Sequence, residues 1–365
     1  MRLGVEAAIV EGRLLRGDVE VADGRIVSVG LAPNSGGGGG IAVPGFVDLQ
    51  VNGFGGVDFA AADHAGYKLA GEALLDSGVT AYQPTLITAP EEDLIAALRE
   101  VPTEPVGPRI LGVHLEGPFL SPNRLGAHPA ASRRDPDRDL LERLLAAGPV
   151  GYMTLAPELE GALELVDLLH ERGVVVSCGH SDATAEQAAA AFDRGVGTVT
   201  HLFNAMRPLG HRDPGIAGAA LVRDEVIVQV ILDGHHLAEE TAKVVWRTAA
   251  GRVALVTDAI AATGVGDGSY RLGEVEVEVR DGVARRADGV LAGSVVTMIE
   301  AVRNLHALGA SFVEAVAAAT SIPALVARRP ELGVLRQGGD ADLVVLDDDL
   351  EIRRVLRGGR ERVAA

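Results

Sequence analysis

From residue 46 onward the chain alternates short runs that are apolar throughout with longer stretches whose apolar residues recur at helical spacing. Eight apolar runs read as strands, at residues 46–51, 79–83, 110–115, 152–155, 174–178, 197–200, 226–232 and 253–257. Ala- and Leu-rich amphipathic segments fall between them, including residues 64–77, 91–101, 137–147, 159–172, 184–194 and 238–250. Several of these end at Gly78, Gly148, Gly173, Gly195 or Gly251, as a helix C-terminus prefers. Strands without alternation, spaced by helices, predict a parallel sheet covered on both faces. Eight units of roughly 30 residues fit a (β/α)8 barrel of about 250 residues, with a doubly wound open sheet as the alternative.

Both ends of the chain break this rhythm. Residues 5–10, 14–15, 19–21 and 26–29 read as short strands, punctuated by Gly12, Gly17 and the hairpin signal Asp23-Gly24. The glycine run 36–40 is followed by neither Lys nor a helix, which excludes a phosphate-binding P-loop and leaves a flexible surface turn. Residues 342–346 and 352–356 read as strands followed by a charged tail. Chain ends tend to lie close together, so the two β-rich ends are expected to meet. The expected organisation is a barrel over residues 44–337 and a small β domain built from 1–43 and 338–365.

Composition narrows the chemistry. The 365 residues carry 33 basic and 51 acidic side chains, and a net charge of −18 argues against nucleic acid or an anionic membrane as partner. Aromatic residues are 3% of the chain, so Ala, Val and Leu must build the core. The single cysteine, Cys178, excludes a disulfide framework, a cysteine zinc knuckle and an iron–sulfur cluster, and reads as a small buried hydrophobe. Lys68 and Lys243 are the only lysines. Acidic residues stand where a signal peptide needs an apolar stretch, and no run approaches 18 apolar residues, so a cytoplasmic protein is expected.

Most of the barrel strands run into polar residues at their C-terminal ends. The first carries Asp48, Gln50 and Asn52, whose spacing puts all three on one face. The third ends His114-Leu115-Glu116, the fifth leads into Gly179-His180, and the sixth into Thr200-His201. The seventh leads into Asp233-Gly234-His235-His236 and the eighth ends Thr257-Asp258. In a barrel these ends converge on one mouth, where active sites of the fold lie.

Glu116, His180 and His201 supply one carboxylate and two imidazoles, a catalytic zinc combination that leaves a position open for water. Such a metal lowers the pKa of water toward 7 and polarises a carbonyl, and Asp258 is placed to act as general base. His114 shares the face of Glu116 and is a further candidate ligand. Read singly, Glu116 serves equally as a cap before Gly117-Pro118, and Asp258 as a turn residue before Ala259. His64, His170, His211 and His306 fall on predicted helices or loops and read as surface residues.

The motifs PGFVDLQVNG (44–53), HLEGPF (114–119), GHSDAT (179–184), THLFNAM (200–206), DGHH (233–236), VTDA (256–259), LAGS (291–294) and TMIE (297–300) resemble the amidohydrolase superfamily and, within it, the deacetylases of acetylated amino-sugar phosphates. The likeness runs from about residue 5 to residue 358. It implies hydrolysis of the acetamide of N-acetyl-D-glucosamine 6-phosphate to D-glucosamine 6-phosphate and acetate. N-acetylgalactosamine 6-phosphate or another acylated amino sugar is the alternative substrate, and a non-catalytic scaffold the more distant one. The implied metal ligands are Glu116, His180 and His201, with Asp258 as acid/base and His128 helping to polarise the acetyl carbonyl. Substrate contacts are implied at Ala127, His128, Asn204, Ala205, Asp233 and His236, with Leu291, Ala292 and Gly293 as a pocket wall. Arg212 is implied to reach the phosphate bound by a neighbouring subunit, hence a homodimer, and the two chain ends to form a β-sandwich. Many amidohydrolases hold two metals on a His-x-His motif; here those positions are Gln50 and Asn52, amides that bind transition metals poorly. One divalent ion per subunit is therefore expected, zinc first and iron, cobalt or manganese as alternatives.

Overall fold

The computed structural model of the chain describes residues 1–32, 39–104 and 106–362. Eight parallel strands form the barrel: Phe46–Val51, Val79–Ile87, Val113–Glu116, Val150–Leu155, Val175–Cys178, Thr198–Val199, Ile227–Val230 and Val253–Leu255, numbered here first to eighth. Each pairs in parallel with the next, from the first through to the eighth. Every residue of the first and second strands is buried, the polar Asp48, Gln50, Thr80, Gln83 and Thr85 included, because both faces are covered. The second strand runs four residues past its expected end. Thr85 holds that extension in place, since its Oγ1 accepts the Val51 N–H at 3.1 Å.

Three of the helices between the strands begin at side-chain caps. Asp63 accepts from the Gly66 N–H ahead of His64–Asp76, and Asp137 from the Leu140 N–H ahead of Arg138–Ala147. Thr184 and Gln187 cap each other's backbone ahead of Ala185–Asp193. The expected helix at 159–172 is shorter, Ala162–Glu171, because Gly161 stands in the left-handed region at φ +83° and breaks the chain before it.

Strands from both chain ends share one six-stranded sheet, in the order Arg13–Arg16, Ala7–Val10, Ile41–Pro44, Leu343–Leu346, Ile352–Arg357, Arg360–Arg362. Alternate residues point to opposite faces. Ile9, Val43, Val344, Leu346 and Val355 join the main core, while Ala8, Ala42, Leu343, Val345 and Leu356 pack with Val5, Val19 and Ile26 in a second core. Asp18–Ala22 and Arg25–Leu31 pair as the hairpin that Asp23-Gly24 signals. The charged tail is corrected in part: Arg360–Arg362 is an edge strand, turned back on Ile352–Arg357 by Gly358 and Gly359, both at positive φ. Of the glycine turn at 36–40, residues 36–38 lie outside the described residues.

Three antiparallel strands, Gly268–Leu272, Val275–Arg280 and Val283–Arg285, form an arm after the eighth barrel strand. Leu272, Val277, Val279 and Ala284 pack with Ile87, Ile260 and Ala292 to seat it over the barrel mouth. Among the described residues, no helix is long and apolar enough to cross a membrane.

Candidate active site

The strand ends meet at one cleft of about 200 Å³ that opens to solvent. Glu116, His180 and His201 stand in its floor, all buried. Oε1 of Glu116 lies 2.9 Å from Nε2 of His201 and 3.2 Å from Nε2 of His180, and the two Nε2 atoms are 3.2 Å apart. Nδ1 of His180 is 2.9 Å from the Arg124 carbonyl oxygen, which can only accept, so the His180 proton sits on Nδ1. Its Nε2 therefore offers a lone pair to the same point as the carboxylate and His201. Three electron-pair donors aimed at one point suit a divalent cation, and the donor set is that of a catalytic zinc site. The residues present fit the metal that the sequence implies.

The surroundings sharpen these roles. Burial works to raise the carboxyl of Glu116, but the surrounding rings of His128, His180 and His201 hold it well below the usual carboxylate range. His201 moves upward: burial lowers it, and the Glu116 carboxylate more than compensates. His128 is pushed down to about 4, first by burial and then by His180, and is a neutral ring. Its Nε2 lies 3.4 Å from Oε2 of Glu116. Asp258 is raised to about 6, first by burial and then by the charge of Glu116. Its Oδ1 accepts the Asn52 side-chain N–H at 2.7 Å, which leaves Oδ2 toward the cleft chemistry.

Gln50 and Asn52 grip carboxylates rather than facing a second metal. The Gln50 side-chain N–H donates to Oε1 of Glu116 at 3.0 Å, as Asn52 does to Asp258. His180, His201 and Asp258 all have left-handed backbone, at φ +48°, +29° and +51°. That conformation is costly for a residue with a Cβ and persists only where the surroundings hold it.

The cleft also gathers Ala127, Asn204, Ala205, His236, Leu291 and Gly293. Four of the sequence-selected residues lie elsewhere. Asp233 stands behind His236, with its Oδ2 2.7 Å from His236 Nδ1 and its Oδ1 accepting the backbone N–H groups of His235 and His236. Ala292 is fully buried against the arm, Gln50 lies beneath the floor, and Arg212 is exposed outside the cleft. His114 is not a ligand. Its ring nitrogens reach Thr154 Oγ1 at 2.7 Å and the Leu49 carbonyl at 3.2 Å, within the packed barrel interior. Ile87, Gly126, Ile231, Leu272 and Val290 complete the lining and were not selected from the sequence. The alternation Val275, Val277, Val279 against Glu276, Glu278, Arg280, with a turn at Asp281-Gly282, is the signal that would have revealed the arm carrying Leu272.

Residues 41–362 match the amidohydrolase family. The chain is 40% identical over 377 residues to human N-acetylglucosamine-6-phosphate deacetylase, covering 95% of this chain and 92% of the relative. It is 37% identical over 321 residues to N-acetylgalactosamine-6-phosphate deacetylase of Escherichia coli O157:H7, covering 86% and 85%. The solved structure of a point mutant of N-acetyl-D-glucosamine-6-phosphate deacetylase from Mycobacterium smegmatis, in complex with N-acetyl-D-glucosamine-6-phosphate, superposes with a TM-score of 0.94 at 39% identity, covering 99% of this chain and 98% of that one.

Proposed function

The chain belongs to the amidohydrolase family, and on that footing we propose that it hydrolyses the acetamide of N-acetyl-D-glucosamine 6-phosphate to D-glucosamine 6-phosphate and acetate. The observation that carries this reading is the convergence of Glu116, His180, His201, His128 and Asp258 on one cleft, in a chain so similar to deacetylases of that substrate.

Glu116, His180 and His201 would hold one divalent ion, with zinc favoured by two imidazoles and a carboxylate. When bound, that ion supplies a Lewis acid for the acetyl carbonyl and acidifies water. Asp258 takes the proton of the attacking water on Oδ2 and delivers it to the departing amine nitrogen. Neutral His128 donates its Nε2 proton to the carbonyl oxygen as negative charge develops there. His236, steadied by Asp233, orients the sugar phosphate beside Asn204 and Ala205.

Arg212 stands exposed outside its own cleft, which supports a homodimer in which it serves the partner's phosphate. We read residues 1–43 and 338–365 as one unit and 44–337 as the catalytic barrel. The relative from Escherichia coli O157:H7 favours one alternative substrate, the galacto epimer.

An amine-release assay tests the reading. N-acetylglucosamine 6-phosphate is expected to exceed both its galacto epimer and unphosphorylated N-acetylglucosamine in kcat/KM. A larger value for the galacto epimer would transfer the assignment to that sugar. No release from any of them by metal-loaded protein would refute it.

A further inference from the structure

The barrel is hydrogen-bonded all the way round except at one seam. Seven neighbouring strand pairs share ladders, but among the described residues the eighth strand and the first meet only through the isolated bridge Val51–Ala259. Side chains fill this seam. Oδ2 of Asp48 accepts the Thr257 hydroxyl at 2.6 Å, and Oδ1 accepts the backbone N–H of Thr257 at 3.3 Å and of Gln50 at 3.2 Å. One residue further along, Asn52 donates its side-chain N–H to Asp258. One further again, the backbone N–H groups of Asn52 and Gly53 reach the Ala259 carbonyl at 2.8 and 3.1 Å. Three consecutive residues, Thr257, Asp258 and Ala259, are thus each held by the first strand or the two residues that follow it.

The middle one of the three needs holding. Asp258 sits in the left-handed region, and its neighbour Thr257 is pinned from both sides. Asp48 grips its hydroxyl and N–H, while Ser294 Oγ donates to its carbonyl at 2.5 Å. The Thr257 hydroxyl oxygen in turn accepts the Ala259 N–H at 3.2 Å, across the strained residue. Asp48 is itself 1% exposed. A carboxyl is an expensive group to bury, and simple barrel closure is served better by an apolar side chain.

We infer that Asp48 and Thr257 are positioning residues: their carboxyl–hydroxyl clasp replaces the missing ladder and fixes the backbone that aims Asp258 into the cleft. The inference rests on the reading of Asp258 as acid/base. An aiming role is felt in turnover rather than in substrate binding, because Asp48 and Thr257 lie outside the cleft lining and Thr257 adjoins Asp258; their second route, through Gln50 to Glu116, is the reason bound metal is measured beside kcat.

The test uses the metal-loaded enzyme. Thr257→Val keeps the shape and loses the hydroxyl, and is expected to lower kcat roughly tenfold to a hundredfold. KM and bound metal per subunit stay near the parent values, and Thr257→Ser restores most of kcat. Asp48→Ala behaves like Thr257→Val. Asp48→Asn keeps an acceptor for the two N–H groups and donates to the Thr257 hydroxyl, so it stays within about threefold of the parent. If Thr257→Val is insoluble, Thr257→Ala carries the same expectation. A valine variant with parental kcat overturns the clasp, and so does one that loses metal or raises KM in step with its loss of kcat. Asp258→Asn separates the two levels: if it is inactive while Thr257→Val is fully active, only the clasp fails. If Asp258→Asn is itself active, the acid/base reading fails and the clasp with it.

Discussion

The backbone N–H of Thr88 donates to Nδ1 of His128 at 3.3 Å. A backbone N–H can only donate, and the Thr88 hydroxyl 3.0 Å from the same nitrogen can turn to donate as well, which favours the tautomer of this neutral ring with the lone pair on Nδ1 and the proton on Nε2. Nε2 is the nitrogen turned toward Glu116 and the cleft. His128 is therefore a preset hydrogen-bond donor that needs no protonation to act. His128→Ala is expected to lower kcat by about a hundredfold to a thousandfold, the usual loss for one such donor. His128→Gln, which keeps an N–H of similar reach, is expected to lose less. Steady-state kinetics of the two variants decides it, and equal losses would argue against a donor role.

Asp258 must be ionised to take a proton from water. Burial and the charge of Glu116 raise it to about 6, and a divalent cation held by Glu116 can only draw it back down. The acid limb of kcat/KM is therefore expected at or below pH 6, with activity lost as pH falls through it. A profile measured at saturating metal, with its limb centred above pH 7, would contradict this assignment.

Metal binding also bears on stability. Without a cation, three electron-pair donors face one another within 3.2 Å, relieved by the hydrogen bonds of His201 and Gln50 to Glu116. Stripping the metal with a chelator is expected to abolish turnover and lower Tm. A ligand at 1,000 times its Kd stabilises by about 4 kcal/mol, which sets the scale of the shift. His180→Ala is expected to lose both metal and that shift, while Asp258→Asn keeps both. Calorimetry with metal analysis of the three proteins checks the pattern.

The chain states its ligands openly because of where they fall. Glu116, His180, His201 and Asp258 each follow an apolar run, so a polar residue at a strand end marks the barrel mouth without knowledge of the tertiary contacts. Asp233 carries the same signal at the wrong depth, and Ala292 rests on the motif LAGS alone, since a motif fixes a place in the chain but not which way each side chain turns. His114 misleads for a related reason. It shares a strand face with Glu116 but sits one layer deeper, where Thr154 takes its ring nitrogen. Thr88 and Leu272 are not legible at all. Thr88 meets His128 through its backbone N–H and its hydroxyl from beyond the end expected for the second strand, and Leu272 reaches the cleft from an arm that folds back over the mouth.

Asp48 makes a separate prediction about stability. Burial pushes its carboxyl up to about 7 in the folded protein, against 3.8 as the ordinary value that the unfolded chain recovers. The folded state therefore binds the proton more tightly. The stability this contributes is whole below about pH 4 and is lost as pH rises through 7. An Asp48→Asn variant has no proton to lose. Its Tm relative to the parent is expected to rise between pH 5.5 and pH 8, whatever its absolute value. Scans of both proteins at the two pH values check it, and a constant difference would show that Asp48 does not titrate in this range.

Arg212 offers the sharpest test of the proposed assembly. It is exposed and outside its own cleft, whereas a phosphate beside Asn204 and Ala205 needs a cation that the cleft lining does not supply through arginine. If the partner's Arg212 completes each site, Arg212→Ala fails in substrate binding and Asp258→Asn fails in turnover, but their defects fall in different sites of a mixed dimer. The site that keeps its own Asp258 also receives an intact arginine from the Asp258→Asn subunit, and is whole. The other site has both defects. Co-expressing the two inactive or weakened variants is therefore expected to recover activity, with one parental site per mixed dimer. If Arg212 served its own cleft instead, neither site of the mixed dimer would be complete and mixing would recover nothing. Arg212→Lys, which keeps the charge but not the fork, is expected to fall between parent and alanine in KM.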